Sequence, residues 1–181
     1  MLHDGTLYLL DANALITSER MYYPKKMVPE LWAWILHQGQ NGRIKVPLEI
    51  YEEIQAGKED ELTIWLNKPE VKQSLLLEED VSLPLVQHVV NNGYAADLNE
   101  NEIAFIGKDP FLISYALASP QERCVVSLEV SKPRTQRQNR RVPDVCKDLG
   151  ADCCNIFQLM KILEFHTGWE AALNQGSIQS Q

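Results

Sequence analysis

The sequence predicts an α/β fold: a three-layer sandwich with a short, mainly parallel central sheet flanked by helices. Three observations point there. Residues 6–10, 44–46, 124–128 and 151–154 form brief, largely apolar runs, the pattern of strands buried on both faces. Segments of helical period separate them, and strands alternating with helices mark βαβ units. Two of the runs stop abruptly at an acid, Asp11 and Glu129, and a parallel sheet gathers its ligands at the carboxyl ends of its strands.

Taken in order, a strand through Tyr8, Leu9 and Leu10 gives way at Asp11 to a helix carrying Ala14, Leu15 and Ile16. Asp and Asn also serve as helix caps, an alternative reading of Asp11 and Asn13. A loop through Tyr22, Tyr23 and Pro24 leads to an amphipathic helix from Pro29, with Leu31, Trp32, Ile35 and Leu36 inward and Gly39 and Gly42 as its end. Pro47 opens a helix through Ile50, Tyr51 and Ile54, closed by Gly57. Residues 58–95 are irregularly helical and read as an insertion between the second and third strands. Asp109 and Pro110 then open a helix with Leu112, Ile113, Tyr115 and Ala116 that stops before Pro120. A basic loop follows the third strand, a short helix starts near Pro143, and Asn155 caps a last helix carrying Ile156, Leu159, Met160, Ile162, Leu163 and Phe165. We expect one domain over 1–168 and a tail over 169–181, polar and frayed from Gln175 onward.

At 181 residues the chain is long enough for a sizeable core. It lacks both the ~18 consecutive apolar residues of a membrane span and a basic-then-apolar leader, so it reads as cytoplasmic, with no membrane partner. Cys124, Cys146, Cys153 and Cys154 are apolar-flanked and fit no zinc spacing, so they read as reduced core residues. His3, His37, His88 and His166 are scattered and receive no role. The formal net charge of −8 argues against a polyanionic partner on average. The distribution argues otherwise locally: Lys132, Arg134, Arg137, Arg140 and Arg141 lie within ten positions that contain no acid, a candidate phosphate contact or a solvated loop.

Asp11, Glu53, Asp109 and Glu129 fall at element ends that a parallel sheet would bring together. Glu53 follows Glu49 by one turn and Glu52 by one residue. Clustered carboxylates raise one another's pKa unless a positive charge neutralises them, and a hard divalent cation, Mg²⁺ or Mn²⁺, suits such oxygens.

The ordered segments LLDANALI, VPLEIYEEI, KDPFLISYAL and VVSLE, followed by GADCCNIFQLMKIL, resemble the PIN-domain nucleases, most closely the PIN-like bacterial branch found as toxins of toxin–antitoxin pairs. The resemblance covers about residues 6–165. It implies a PIN-like sandwich in which Asp11, Glu53 and Asp109 hold metal, with Asn13 in the small polar position after the first acid. Glu49, which also precedes an aliphatic residue, is the alternative second acid. The fourth motif departs from strand-Thr-x-Asp: Ser127 and Glu129 stand in its place, with Asp144 as a spare acid. The implied activity is Mg²⁺- or Mn²⁺-dependent endoribonuclease chemistry, with Asp11, Glu53, Asp109 and Glu129 catalytic, Asn13 and Ser127 orienting water or substrate, and the basic loop binding RNA. The implied partners are an RNA substrate and a cognate antitoxin protein; a homodimer is left open. Asn13 stands where an aspartate-nucleophile phosphatase needs its second Asp, which ranks that chemistry low. A noncatalytic RNA-binding or protein-interaction module on the same fold is the competing reading.

Overall fold

The computed structural model describes residues 5–178, the side chains of 174–178 excepted, so His3 lies outside the described residues. Strand β1 (Leu7–Leu10) leads into α1 (Ala12–Thr17), continued by a π-helical turn (Ser18–Tyr22). Next come α2 (Pro29–Gln40), β2 (Ile44–Lys45), α3 (Leu48–Gln55), α4 (Glu61–Leu66), α5 (Pro69–Leu75) and α6 (Leu83–His88), the last running into a second π-helical segment (Val89–Tyr94). Then follow α7 (Glu100–Ile106), α8 (Asp109–Leu117), β3 (Arg123–Val126), a 3₁₀ turn (Arg137–Asn139), α9 (Val142–Leu149), β4 (Asp152–Cys154), α10 (Ile156–Ile162) and α11 (Trp169–Ile178).

The four strands form one parallel sheet in the order β2-β1-β3-β4, flanked by helices as a three-layer sandwich. Leu10 of β1 pairs with Val126 of β3, and Val126 pairs with Cys154 of β4. This register decides where the chemistry falls. Asp11 and Ser127, each one residue past a paired position, emerge side by side at the carboxyl edge. The sheet centre is fully buried: Leu9, Leu10, Val125 and Val126 show no exposed surface. A parallel sheet covered on both faces explains the unalternated apolar runs.

The insertion shields the outer edge of β2. A parallel bridge joins Val46 to Leu76, with the Val46 N–H donating to the Leu75 carbonyl at 2.7 Å and the Leu77 N–H to the Val46 carbonyl at 2.9 Å. A covered edge cannot template pairing with another chain.

Three sequence expectations are corrected. Gly39 does not end α2; it lies inside the helix, where a Cβ would come within 2.5 Å of the Leu75 side chain and 3.0 Å of the Ser74 carbonyl. The glycine permits close packing of α2 on α5. Helix α7 is an element the sequence reading lacks, although Asn99 and Glu102 form a reciprocal capping box at its start. The expected last helix stops at Ile162 and Glu164 turns at φ +53°, after which α11 runs from Trp169 to Ile178 where a tail was expected. Trp169 anchors that helix, its indole N–H donating to the Glu30 carbonyl at 3.1 Å and its ring lying 4.9 Å from that of His37. Residues 179–181 lie outside the described residues.

The Cys153 side chain is partly buried and the other three cysteines are buried, all four as free thiols, in keeping with their reading as core residues. Among the described residues no helix is long and apolar enough to cross a membrane.

Candidate functional site

Asp11 leaves β1 with extended backbone and occupies the N-cap position of α1 without a side-chain capping hydrogen bond. Its carboxylate turns instead toward the end of β3. The Ser127 hydroxyl donates to its Oδ2 at 2.7 Å, and the Asn13 amide donates to the same oxygen at 2.6 Å. Asn13 is fixed in turn by the Leu128 N–H, which donates to its Oδ1 at 2.8 Å. The Ser127 oxygen also accepts the Glu129 N–H at 3.2 Å. Asn13 and Ser127 therefore bind the first acid to the exit of the third strand, and the capping reading of both Asp11 and Asn13 is set aside.

Asp11 is 3% exposed. Burial pushes its carboxyl up to about 7; the Ser127 hydrogen bond opposes this, while the charges of Glu129 and Glu53 add to it. Asp109 behaves alike. It is the first residue of α8, preceded by Lys108 as N-cap, and its side chain makes no cap. Burial, followed by the charges of Asp11, Glu129 and Glu53, pushes Asp109 up to about 8. The Tyr94 hydroxyl donates to its Oδ2 at 3.4 Å. Two carboxyls that ordinarily ionise near pH ~4 thus stay protonated near neutrality, because each is desolvated within the field of the others.

Glu53 reaches the same field from α3. Partial burial raises its pKa, and the Lys108 charge opposes the rise. Glu53, rather than Glu49 or Glu52, is among the charges that raise Asp11 and Asp109. Glu49 turns to another neighbour: its charge, after burial, pushes the phenol of Tyr115 up to about 12, while the Tyr115 hydroxyl donates to the Glu79 carbonyl at 3.2 Å.

Glu129 has two firm partners: the Arg141 guanidinium at 2.9 Å and the Val142 N–H at the start of α9 at 2.8 Å. Its charge still reaches Asp11 and Asp109, but its oxygens are engaged in a helix cap and an ion pair. Asp144, the spare fourth acid, is buried and accepts the Ser131 hydroxyl and the Lys132 N–H, the latter at 2.7 Å. It anchors the loop.

The loop is a strap tied to α7 and to the end of the insertion rather than a free basic arm. Arg137 pairs with Glu102 at 2.7 Å and Asp97 at 2.7 Å, and at φ +54° it holds a backbone conformation that costs free energy for a side chain with a Cβ. The pairing and a hydrogen bond from Asn99 bring Glu102 down to about 2. Arg140 donates to the Gly93 carbonyl at 2.6 Å and pairs with Asp148. Arg141 is committed to Glu129. Lys132 and Arg134 are exposed, and their side chains have no ion-pair partner among the described residues.

The structure therefore brings Asp11, Asn13, Ser127, Asp109, Glu53 and Glu129 to one end of the sheet. Sequence reading missed Tyr94 and Lys108. Lys108 adjoins a candidate acid, which is a signal; Tyr94 lies in an irregular segment with no periodicity to single it out. Among the described residues no group of three or more His, Cys, Asp or Glu side chains stands close enough to hold a metal ion. The donor chemistry nevertheless suits a hard cation, because crowded carboxyls that keep their protons for want of a positive charge would release them to one.

Fold and site together define a parallel-sheet α/β protein with one buried acid, Asp11, and one half-buried acid, Asp109, at its carboxyl edge. Over residues 8–167 the chain matches the model of a family described as a domain of unknown function, DUF4411, and it belongs to that family. No curated protein and no solved structure matches it.

Proposed function

We propose that this protein is a metal-dependent endoribonuclease with a PIN-like site, serving as the toxin of a toxin–antitoxin pair. One observation carries the reading: Asp11 and Asp109, from the first strand and the helix before the third, share a desolvated field with Glu53 and Glu129. A structural role does not account for such crowding. Each acid held above its ordinary pKa costs free energy at neutral pH, and sites that cluster this cost are commonly functional.

Asp11, Glu53 and Asp109 would hold Mg²⁺ or Mn²⁺. Such a cation supplies a water of lowered pKa and neutralises charge developing on the phosphorus oxygens. The chain's own residues prepare for it. Ser127 and Asn13 fix Oδ2 of Asp11, which limits the rotation open to the first ligand. Glu129, held by Arg141 and Val142, adds negative potential without being free to move. Lys132 and Arg134 are the residues of the strap able to reach an RNA backbone, while Arg137, Arg140 and Arg141 hold the strap in shape. A cognate antitoxin would silence the site by placing a basic side chain among the carboxylates.

The competing reading is a noncatalytic RNA-binding or protein-interaction module. It is favoured by the engagement of Glu129 and by the absence, among the described residues, of three converging ligands. Incubating a defined RNA panel with Mg²⁺, Mn²⁺ or chelator, beside Asp11→Asn, separates the two. Metal-dependent cleavage that disappears in the variant supports the nuclease; binding without cleavage in every condition supports the module.

A further inference from the structure

We infer that Tyr94 is a positioning residue for Asp109, and that the strap arginine Arg140 holds Tyr94 in place through the carbonyl of Gly93. The inference rests on the metal-site reading and deepens it, because it assigns the helical insertion a part in that site.

Four observations carry it. Tyr94 is 7% exposed, and its hydroxyl donates to Oδ2 of Asp109. The residue ends a π-helical segment, Val89–Tyr94, and such insertions of an extra residue into a helix recur at functional sites. Gly93 lies flat on α9: a Cβ there would come within 2.6 Å of Val145 and 3.1 Å of Leu149, so the turn carrying Tyr94 cannot shift toward α9. On its other polar side the Gly93 carbonyl accepts the Arg140 guanidinium at 2.6 Å, and Arg140 is tied to α9 again through Asp148. The backbone of Tyr94 is thereby fixed by packing and by a charged hydrogen bond.

A buried tyrosine needs an acceptor, and many would serve. Here the acceptor is a carboxyl oxygen inside a crowded acidic cluster, and donating to it orients that oxygen. Outer partners that orient a ligand are worth roughly 10- to 100-fold in metal affinity. The basic loop then has a structural share in the site: Arg140 acts through Gly93 and Tyr94 on Asp109.

The test uses the full chain and Mn²⁺ alone as probe, with apparent affinity read from calorimetric titration and from the metal-induced rise in Tm. In Tyr94→Phe, which keeps the ring, the Tm in chelator should stay close to that of the wild type while Mn²⁺ affinity falls about tenfold. Mn²⁺ should also perturb the near-ultraviolet tyrosine spectrum of the wild type, and that perturbation should vanish in Tyr94→Phe. Arg140→Gln should weaken Mn²⁺ binding in the same direction, and the double variant should show a smaller deficit than the two single deficits combined. Wild-type affinity and an intact tyrosine signal in Tyr94→Phe overturn the assignment while leaving the metal site standing. Unchanged affinity in Arg140→Gln overturns the role of the strap. A wild type that binds no Mn²⁺ overturns the metal reading and this inference together.

Discussion

Replacing Asp109 by Asn should raise stability in chelator at mildly alkaline pH and abolish the stabilisation conferred by Mn²⁺. The carboxyl stands at the first position of α8 without capping it, so the change deletes a charge and no cap. The amide oxygen of Asn can still accept the Tyr94 hydroxyl. Asp109 ionises at about 8 in the folded protein, against ~4 in an unfolded chain. A carboxyl raised on folding contributes stability that is fully present below the unfolded pKa and lost as pH rises through the folded one. The wild type should therefore lose about 2 kcal/mol more than the variant between about pH 6 and about pH 8, at ~1.4 kcal/mol per pH unit while only the unfolded form is ionised. For a domain of this size that corresponds to roughly 4–8 °C in Tm. Thermal melts of both proteins at the two pH values, with chelator and with Mn²⁺, measure the effect. Parallel pH dependence in the two proteins, or an equal Mn²⁺ shift in both, would refute the reasoning.

Further outcomes follow from the same geometry. If RNA cleavage is observed, Glu53→Gln should impair it more than Glu49→Gln, because Glu53 shares the field of Asp11 and Asp109 whereas Glu49 faces Tyr115; the reverse order would make Glu49 the second acid. Lys132→Gln with Arg134→Gln should flatten the log-log salt dependence of RNA binding, by about 0.7 in slope for each phosphate no longer neutralised; an unchanged slope in binding titrations would return those residues to ordinary surface. Gly39→Val should destabilise the fold by roughly 1–3 kcal/mol through its clash with Leu75 and the Ser74 carbonyl, read from urea unfolding; wild-type stability there would mean that α2 and α5 separate freely. Expression of the wild type should arrest growth while Asp11→Asn does not; harmless wild-type expression in several hosts would count against the toxin assignment.

The sequence alone determined what depends on local chemistry. Short, largely apolar stretches placed all four strands, and the stop at Asp11 placed the carboxyl edge; Glu129, expected at the end of the third strand, instead lies three residues past the end of β3 at Val126. Proline and Asn at helix starts placed α3, α8 and α10, and Asp109 was legible as a helix-opening acid. Gly39 misled because the same residue type ends helices and lets helices touch, and only the neighbour, Leu75, distinguishes the cases. Tertiary structure decided every partnership. Ser127 meets Asp11 across 116 positions because β3 is laid beside β1 in parallel register, a consequence of crossover topology that no local pattern encodes. The same holds for the arginines of the strap. Their spacing announces a concentration of charge, but whether each guanidinium faces solvent or an internal carboxylate depends on which surface the loop crosses. Here it crosses α7 and the π-helical segment, where Glu102 and the Gly93 carbonyl bind Arg137 and Arg140. Tyr94 and Asp109 likewise find each other only because the insertion folds back onto α9, since hydrogen bonding between distant residues follows from packing that propensity and periodicity do not record.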